Sequence, residues 1–429
     1  MFIVRESFPL RETAGPAWAD PVEESMISQI EEMYSASIRN MKRSIIRELL
    51  KLTAQPDIIS FAGGLPSPES FPVEELKTVM NEIMDREAHV VLQYGTTEGD
   101  MELRSHLVNR HYRSQENMDI TERNLVITTA SQQALDLIGK IFINPGDDVI
   151  CGAPTYLGGI NAFAAYGARF KTVELDGEGM RADLLETLLE SMKKAGKRAK
   201  FLYCVPDFQN PTGITMSHER RRQIVEICQR HNLLIIEDSP YRELRFDGKN
   251  VPTLYSLAKP GSVVLLGTMS KILCPSFRIG WVVACEEITD KIVVAKQSAD
   301  LCTSLFTQRI AARYMQKGYM NERIAKTVEI YRRKRDVMLS AFEKCMPDGV
   351  RWVKPEGGLF LFLTVPESID CQDLFHKAIA EKVAFVIGSA FYPDGNGRNT
   401  MRLNFSFCSE EQIEEGVKRL ARVIAAELR

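Results

Sequence analysis

Between about Pro72 and Val293 short apolar runs alternate with longer helical patterns, and this rhythm leaves the chain few folds to adopt. The runs Leu125–Thr129, Val149–Ala153, Phe201–Val205, Leu233–Glu237 and Val263–Leu266 are nearly continuous, as strands covered on both faces are. Segments such as Arg181–Lys194 and Gln223–His231 place their apolar residues at helical spacing instead. Strand and helix in alternation imply an α/β fold: a mainly parallel sheet wrapped by helices, with ligand groups at the carboxyl ends of the strands. A helical stretch from about Thr307 to Cys345 then leads into a smaller α+β part. That part should hold strands at Leu359–Thr364 and Met401–Phe405 and a final helix at Glu410–Ala426. The expected division is residues 1–71 as an N-terminal arm, lid and part of the small domain, 72–306 as the large domain, and 307–429 as the bridging helix and small domain.

The ends of these runs carry the chemistry. Lys271 follows Val263-Val-Leu-Leu-Gly267, with Thr268 and Ser270 just before it and Arg278 just after. Alone, Lys271 would be a surface lysine. At the mouth of a parallel strand, between hydroxyls and an arginine, it suits a Schiff-base site beside a phosphate cup. Asp238 closes Leu233-Leu-Ile-Ile-Glu237 and is followed by Pro240 and Tyr241. It could be a turn residue, or an anion that keeps a pyridine nitrogen protonated. Asn210-Pro-Thr-Gly213 follows Phe201–Val205 and is by itself an ordinary turn.

Taken in order, Asn210-Pro-Thr-Gly213, Asp238 with Tyr241, and Ser270-Lys271 with Arg278-Ile-Gly280 resemble the signature of fold-type I, pyridoxal-phosphate-dependent class I/II aminotransferases. Phe61-Ala-Gly-Gly-Leu-Pro66 and Leu92-Gln-Tyr94-Gly95 resemble the branch holding 2-aminoadipate/kynurenine aminotransferase II and its multi-substrate prokaryotic relatives. The resemblance runs from about Ser44 to the C-terminus and implies pyridoxal 5′-phosphate as cofactor.

It also implies roles. Lys271 would bind the cofactor and then shuttle a proton, which needs an amine of lowered pKa. Asp238 would pair with the ring nitrogen, and Asn210 and Tyr241 would hydrogen-bond its phenolic oxygen. Tyr156, after Asp148-Val-Ile-Cys151, would stack on the ring. Ser131 and Gln132 open a helix after Leu125–Thr129, offering free N–H groups to a phosphate, joined by Thr268, Ser270 and the fork of Arg278. Tyr94 would reach the phosphate from a neighbouring subunit, making the active site complete only in a homodimer. Arg402 would hold the substrate α-carboxylate, with Asn210, Gly64 and Arg47 also lining the substrate's place. Arg47 could equally be an exposed charge on an amphipathic helix.

Two departures from the family pattern stand out. Val386-Ile387-Gly388-Ser-Ala-Phe391-Tyr392 lacks the usual Pro-Gly pair, so the loop beside the substrate should be shaped differently. Thr268 stands where serine is common and keeps the hydroxyl.

Nothing else in the chain competes with this reading. A net charge of −3 argues against a nucleic-acid partner. Nine cysteines, odd in number and without a Cys-x-x-Cys pair, read as reduced core residues. The six histidines show no metal-ligand spacing, so no metal is expected. The start shows no apolar core of signal length and no run could span a membrane, so a cytoplasmic location is expected. The expected reaction moves the amino group of an L-amino acid to a 2-oxo acid, 2-oxoglutarate foremost, by a ping-pong cycle. The donor would be 2-aminoadipate, aromatic, kynurenine or aliphatic. A β-lyase would use the same Lys271 and Asp238. A non-catalytic effector-binding protein would need a helix-turn-helix module ahead of the family region, where only about forty residues that are not basic precede it.

Overall fold

Apolar residues suited to two covered faces build the central sheet of the computed structural model, which describes residues 30–41 and 57–428. After a short β1 (Ile59–Ser60), the strands of this sheet are β2 (Leu125–Thr129), β3 (Asp148–Ala153), β4 (Arg169–Asp176), β5 (Gly179–Met180), β6 (Ala199–Cys204), β7 (Leu234–Asp238), β8 (Val263–Thr268) and β9 (Ile279–Val283). They lie side by side in the order 2-9-8-7-6-3-4-5. Pairing is parallel from β8 through β7, β6 and β3 to β4, whereas β9 runs against both β8 and β2, and β5 against β4. The carboxyl ends of β2, β3, β6, β7 and β8 therefore share one edge.

Helices cover both faces. Ala130–Phe142 buries Ala134, Leu135, Leu137 and Ile138 in the same core as Val126 and Val282. Each such aliphatic side chain contributes on the order of 1.5–3 kcal/mol by leaving water. On the other face, Ala182–Lys194 and His218–Arg230 bury Leu185, Leu189, Ile224 and Cys228 with Ile150, Leu202 and Ile235. The second of these helices starts earlier than its apolar pattern indicates. The Ser217 hydroxyl accepts the Arg220 N–H and so caps it.

The expected single helical stretch over Thr307–Cys345 is two helices, Leu305–Gln316 and Tyr319–Cys345. The break is Gly318, at φ 77°, a left-handed conformation that costs glycine little. Beyond it lies the small antiparallel sheet, in which β10 (Arg351–Trp352), β11 (Phe360–Thr364), β14 (Thr400–Asn404) and β13 (Val386–Ile387) are neighbours in that order. A further short strand, β12 (Val383–Ala384), pairs in parallel with β1. The N–H of Asn404 donates to the Phe61 carbonyl at 2.8 Å. Residues 59–62 are thus bound to the C-terminal part and lead Gly64 toward the shared strand edge. No helix among the described residues is long and apolar enough to cross a membrane.

Candidate active site

The shared edge opens on a cavity of about 300 Å³. Gly64, Ser131, Gln132, Tyr156, Asn210, Asp238, Tyr241, Thr268, Ser270, Lys271, Arg278 and Arg402, all singled out in the sequence, line it together. Tyr94 does not. It is 78% exposed on the surface. Arg47 lies outside the described residues.

Lys271 leaves the end of β8 half-buried, and its Nζ donates to the Gly64 carbonyl at 2.8 Å. Burial, and then the charges of Arg402 and Arg278, lower its pKa to about 8. An ordinary lysine amine is almost wholly protonated at neutral pH, whereas this one has an appreciable neutral fraction, as a nucleophile requires.

Asp238 ends β7 with 2% exposure. Its Oδ2 accepts the Tyr203 phenol at 2.9 Å, but its Oδ1 is buried and has no hydrogen-bond partner. Burial raises its pKa to about 7 against the opposing effect of the Tyr203 bond. A buried carboxylate oxygen without a partner calls for a cationic N–H. A protonated pyridine nitrogen is such a donor, so the site fits pyridoxal phosphate on this count.

Asn210 is the junction of the site. Its Nδ2 donates to the Tyr241 hydroxyl at 3.4 Å, and its Oδ1 accepts from Arg402 Nη1 at 3.0 Å. Arg402 Nη2 donates to the Ala62 carbonyl at 2.7 Å, while its buried Nε has no partner. The guanidinium carbon sits 4.3 Å from the centre of the Phe360 ring and 5.2 Å from that of Phe391. These ring faces offset part of the cost of burying the charge. Burial still lowers the Arg402 pKa to about 10, which leaves it cationic at neutral pH. The loop that departs from the family pattern has a definite shape: the Phe391 carbonyl accepts the Thr155 N–H at 2.9 Å, tying it to the segment after β3.

The N-terminus of helix Ala130–Phe142 faces the cavity, with Ser131 and Gln132 in its first turn. Ala130 and Arg278 are both left-handed, at φ 62° and 53°, and the Ala130 N–H donates to the Arg278 carbonyl at 2.9 Å. Non-glycine residues rarely adopt this conformation, so the surroundings must enforce it. Gly280 permits the approach: a Cβ there would lie 2.4 Å from the Ala130 carbonyl carbon and 2.5 Å from Ser131 N. Across the cup Thr268 Oγ1 stands 3.0 Å from Ser270 Oγ. Free N–H groups, hydroxyls and a guanidinium at one helix end suit a phosphate dianion.

Sequence reading missed Tyr203, Phe360 and the role of Phe391. Tyr203 lies within a buried apolar run, and its signal was the hydroxyl, which a core tyrosine must satisfy. Phe360 is the first residue of β11, directly across from Asn404. No one-dimensional pattern links it to Arg402. Among the described residues no group of His, Cys, Asp or Glu could hold a metal ion.

A family model described as aminotransferase class I and II matches residues 56–420. An aromatic-amino-acid aminotransferase of Thermococcus litoralis is 47% identical over 399 residues, which span 93% of this chain and 95% of its own. Among solved structures, the kynurenine aminotransferase of Pyrococcus horikoshii in complex with PMP is similar at a TM-score of 0.91 and 45% identity, over 94% of this chain and 100% of that one. The α-aminoadipate aminotransferase LysN of Thermus thermophilus, complexed with N-(5′-phosphopyridoxyl)-L-leucine, gives 0.86 at 38% identity, over 93% and 98% of the two chains.

Proposed function

The chain belongs to the aminotransferase class I and II family and is a pyridoxal-phosphate-dependent aminotransferase, and from that premise we propose how its own residues carry the reaction. The cofactor, when bound, supplies an electron-withdrawing ring that makes the substrate Cα–H acidic. Lys271 would hold the cofactor through Nζ and, when free of it, would accept and return the proton of the substrate Cα. Its lowered pKa suits it to both accept and return that proton.

Asp238 Oδ1 receives the ring N–H, and Tyr203 stabilises the carboxylate in its charged form. Asn210 and Tyr241 hold the ring oxygen, and Tyr156 covers the ring face. Ser131, Gln132, Thr268, Ser270 and Arg278 hold the phosphate. Arg402 receives the α-carboxylate shared by every donor and acceptor, with Gly64 beside it. Arg47, outside the described residues, would read the side chain of the substrate or close over it. Tyr94 completes the phosphate site of a second copy, so the working form is a homodimer.

The single observation that carries this reading is the meeting of Lys271, Asp238 and Arg402 in one cavity, each buried or half-buried and each with capacity left for a ligand. The cycle is ping-pong, with 2-oxoglutarate as the second substrate. The names of the relatives, which span aromatic amino acids, kynurenine and aminoadipate, support a broad donor range.

The test is the visible absorbance of the purified holoenzyme, titrated with a panel of L-amino acids. Loss of the cofactor band on adding donor, and its return on adding 2-oxoglutarate, is the expected result. A band that no donor converts, or that converts only with release of ammonia, overturns the reading.

A further inference from the structure

Behind the cavity lies a buried chain of ions that the reaction itself does not use. Asp207, 1% exposed, sits in the loop after β6 and accepts from Arg221 Nη2 at 2.7 Å and from Arg242 Nη1 at 3.2 Å. Arg242 in turn donates to Glu116 at 2.5 and 2.6 Å through Nε and Nη2. Arg221 ties the loop to helix His218–Arg230 and also donates to the Pro206, Pro252 and Met216 carbonyls. Glu237 of β7 interacts electrostatically with Arg221, Asp207 and Arg242, and His111, paired with Glu243 beside Arg110, also faces Arg242.

Position gives this chain its meaning. Asp207 lies on the same loop as Asn210, and Arg242 directly follows Tyr241. The ion pair therefore joins the two backbones that present Asn210 Nδ2 and the Tyr241 hydroxyl, 3.4 Å apart, to the cavity. The loop does not hold its shape by local preference. Phe208, between Asp207 and Asn210, is left-handed at φ 48° and fully enclosed. Such a conformation persists only where the surroundings enforce it. A buried ion pair is weak as a source of stability, since desolvation offsets much of the attraction. Its geometry is nevertheless defined: the fork of Arg221 meets both oxygens of Asp207, while Arg242 reaches Asp207 through Nη1 alone and spends its fork on Glu116.

We propose that Asp207 and Arg242 are positioning residues whose buried ion pair sets the separation of Asn210 and Tyr241, and through it the hydrogen bonding of the cofactor's ring oxygen. The inference rests on the function proposed above. Hydrogen bonds to that oxygen weaken its hold on the proton of the neighbouring lysine–cofactor linkage. Loosening the pair should therefore make the linkage keep its proton to higher pH.

The experiment is a pH titration of the visible absorbance of the holoenzyme, with thermal melting as the control for folding. Arg242→Met is expected to raise the apparent pKa of the linkage by about one unit, a tenfold change in proton affinity, and to lower kcat with little change in KM. Arg242→Lys, which restores a cation beside Asp207 but not the fork to Glu116, should recover most of the original titration even if its melting temperature stays low. A merely structural role would follow melting temperature and not charge. Asp207→Asn is nearly isosteric and decides the matter if Arg242→Met does not accumulate as folded protein. An unaltered titration in either folded variant overturns the proposal. If the function itself is misread, the unchanged protein will show no pH-dependent cofactor band, which separates the two failures.

Discussion

Tyr203 donates its phenolic hydrogen to Oδ2 of Asp238 at 2.9 Å, a bond between neighbouring parallel strands with both partners buried. It opposes the burial that pushes the Asp238 carboxyl up to about 7. Tyr203→Phe removes one hydrogen bond to a charged group, worth about 1.5–3 kcal/mol. The expected outcome is cofactor affinity weaker by roughly ten- to a hundredfold, read as a dissociation constant by fluorescence, with Lys271 still able to capture cofactor at saturation.

Lys271→Ala should abolish turnover and the covalent cofactor band together, while cofactor still binds through the phosphate cup. Equilibrium dialysis beside an activity assay checks both halves. Ordinary activity in this variant would sink the mechanism.

The lowered pKa of Lys271 sets a pH dependence in the cofactor-free protein. Its folded value, about 8, lies below the ordinary lysine value of 10.5, so the neutral amine becomes available over a lower pH range. Capture of pyridoxal phosphate should therefore quicken about tenfold per unit as pH rises toward 8 and level off above it. Between 8 and 10.5 the unfolded chain binds more protons at this residue, so its contribution to stability rises with pH there. Stopped-flow absorbance gives the capture rates, and a profile still rising steeply above about pH 9 would contradict the assignment.

Arg402→Lys keeps the charge but not the fork, and it cannot hold both Asn210 Oδ1 and the Ala62 carbonyl in the same way. KM for donor and acceptor alike should rise by about ten- to a hundredfold, the equivalent of roughly 1.4–2.8 kcal/mol. A change confined to one substrate would place the shared carboxylate elsewhere.

Gly280→Ala would press a methyl group against backbone atoms of Ala130 and Ser131, which cannot swing aside. A loss of about 1–3 kcal/mol in stability is expected, together with weaker phosphate binding. Melting curves in the presence and absence of inorganic phosphate measure both.

Much of the fold was legible in the sequence alone. The strands β2, β3, β6, β7 and β8 announce themselves because both faces are covered, so their residues are apolar without interruption. Asp238 and Lys271 stood out as polar residues at the ends of such runs. The strand β4, mostly half-exposed with only Val173 fully buried, gives no such signal. The reversed direction of β9 depends on which strands become its neighbours, a long-range outcome that a local pattern does not encode. Arg402 needed family resemblance, because an arginine on a short strand is ordinarily a solvated one. The ion chain through Asp207 was invisible for a similar reason: each member looks like a surface charge until helix, loop and strand close around it.

Arg402 spends part of its fork within the protein. Of its five N–H donors, one on Nη1 and one on Nη2 are engaged with Asn210 and Ala62, and the one on Nε has no partner. In the role proposed for it, Arg402 would have the Nε–H and a second N–H on each Nη left for a carboxylate, which could be received without breaking either bond. The bonds to Asn210 and Ala62 would then hold the guanidinium in one orientation whether or not a ligand is present, so little ordering of this side chain is left to be done on binding.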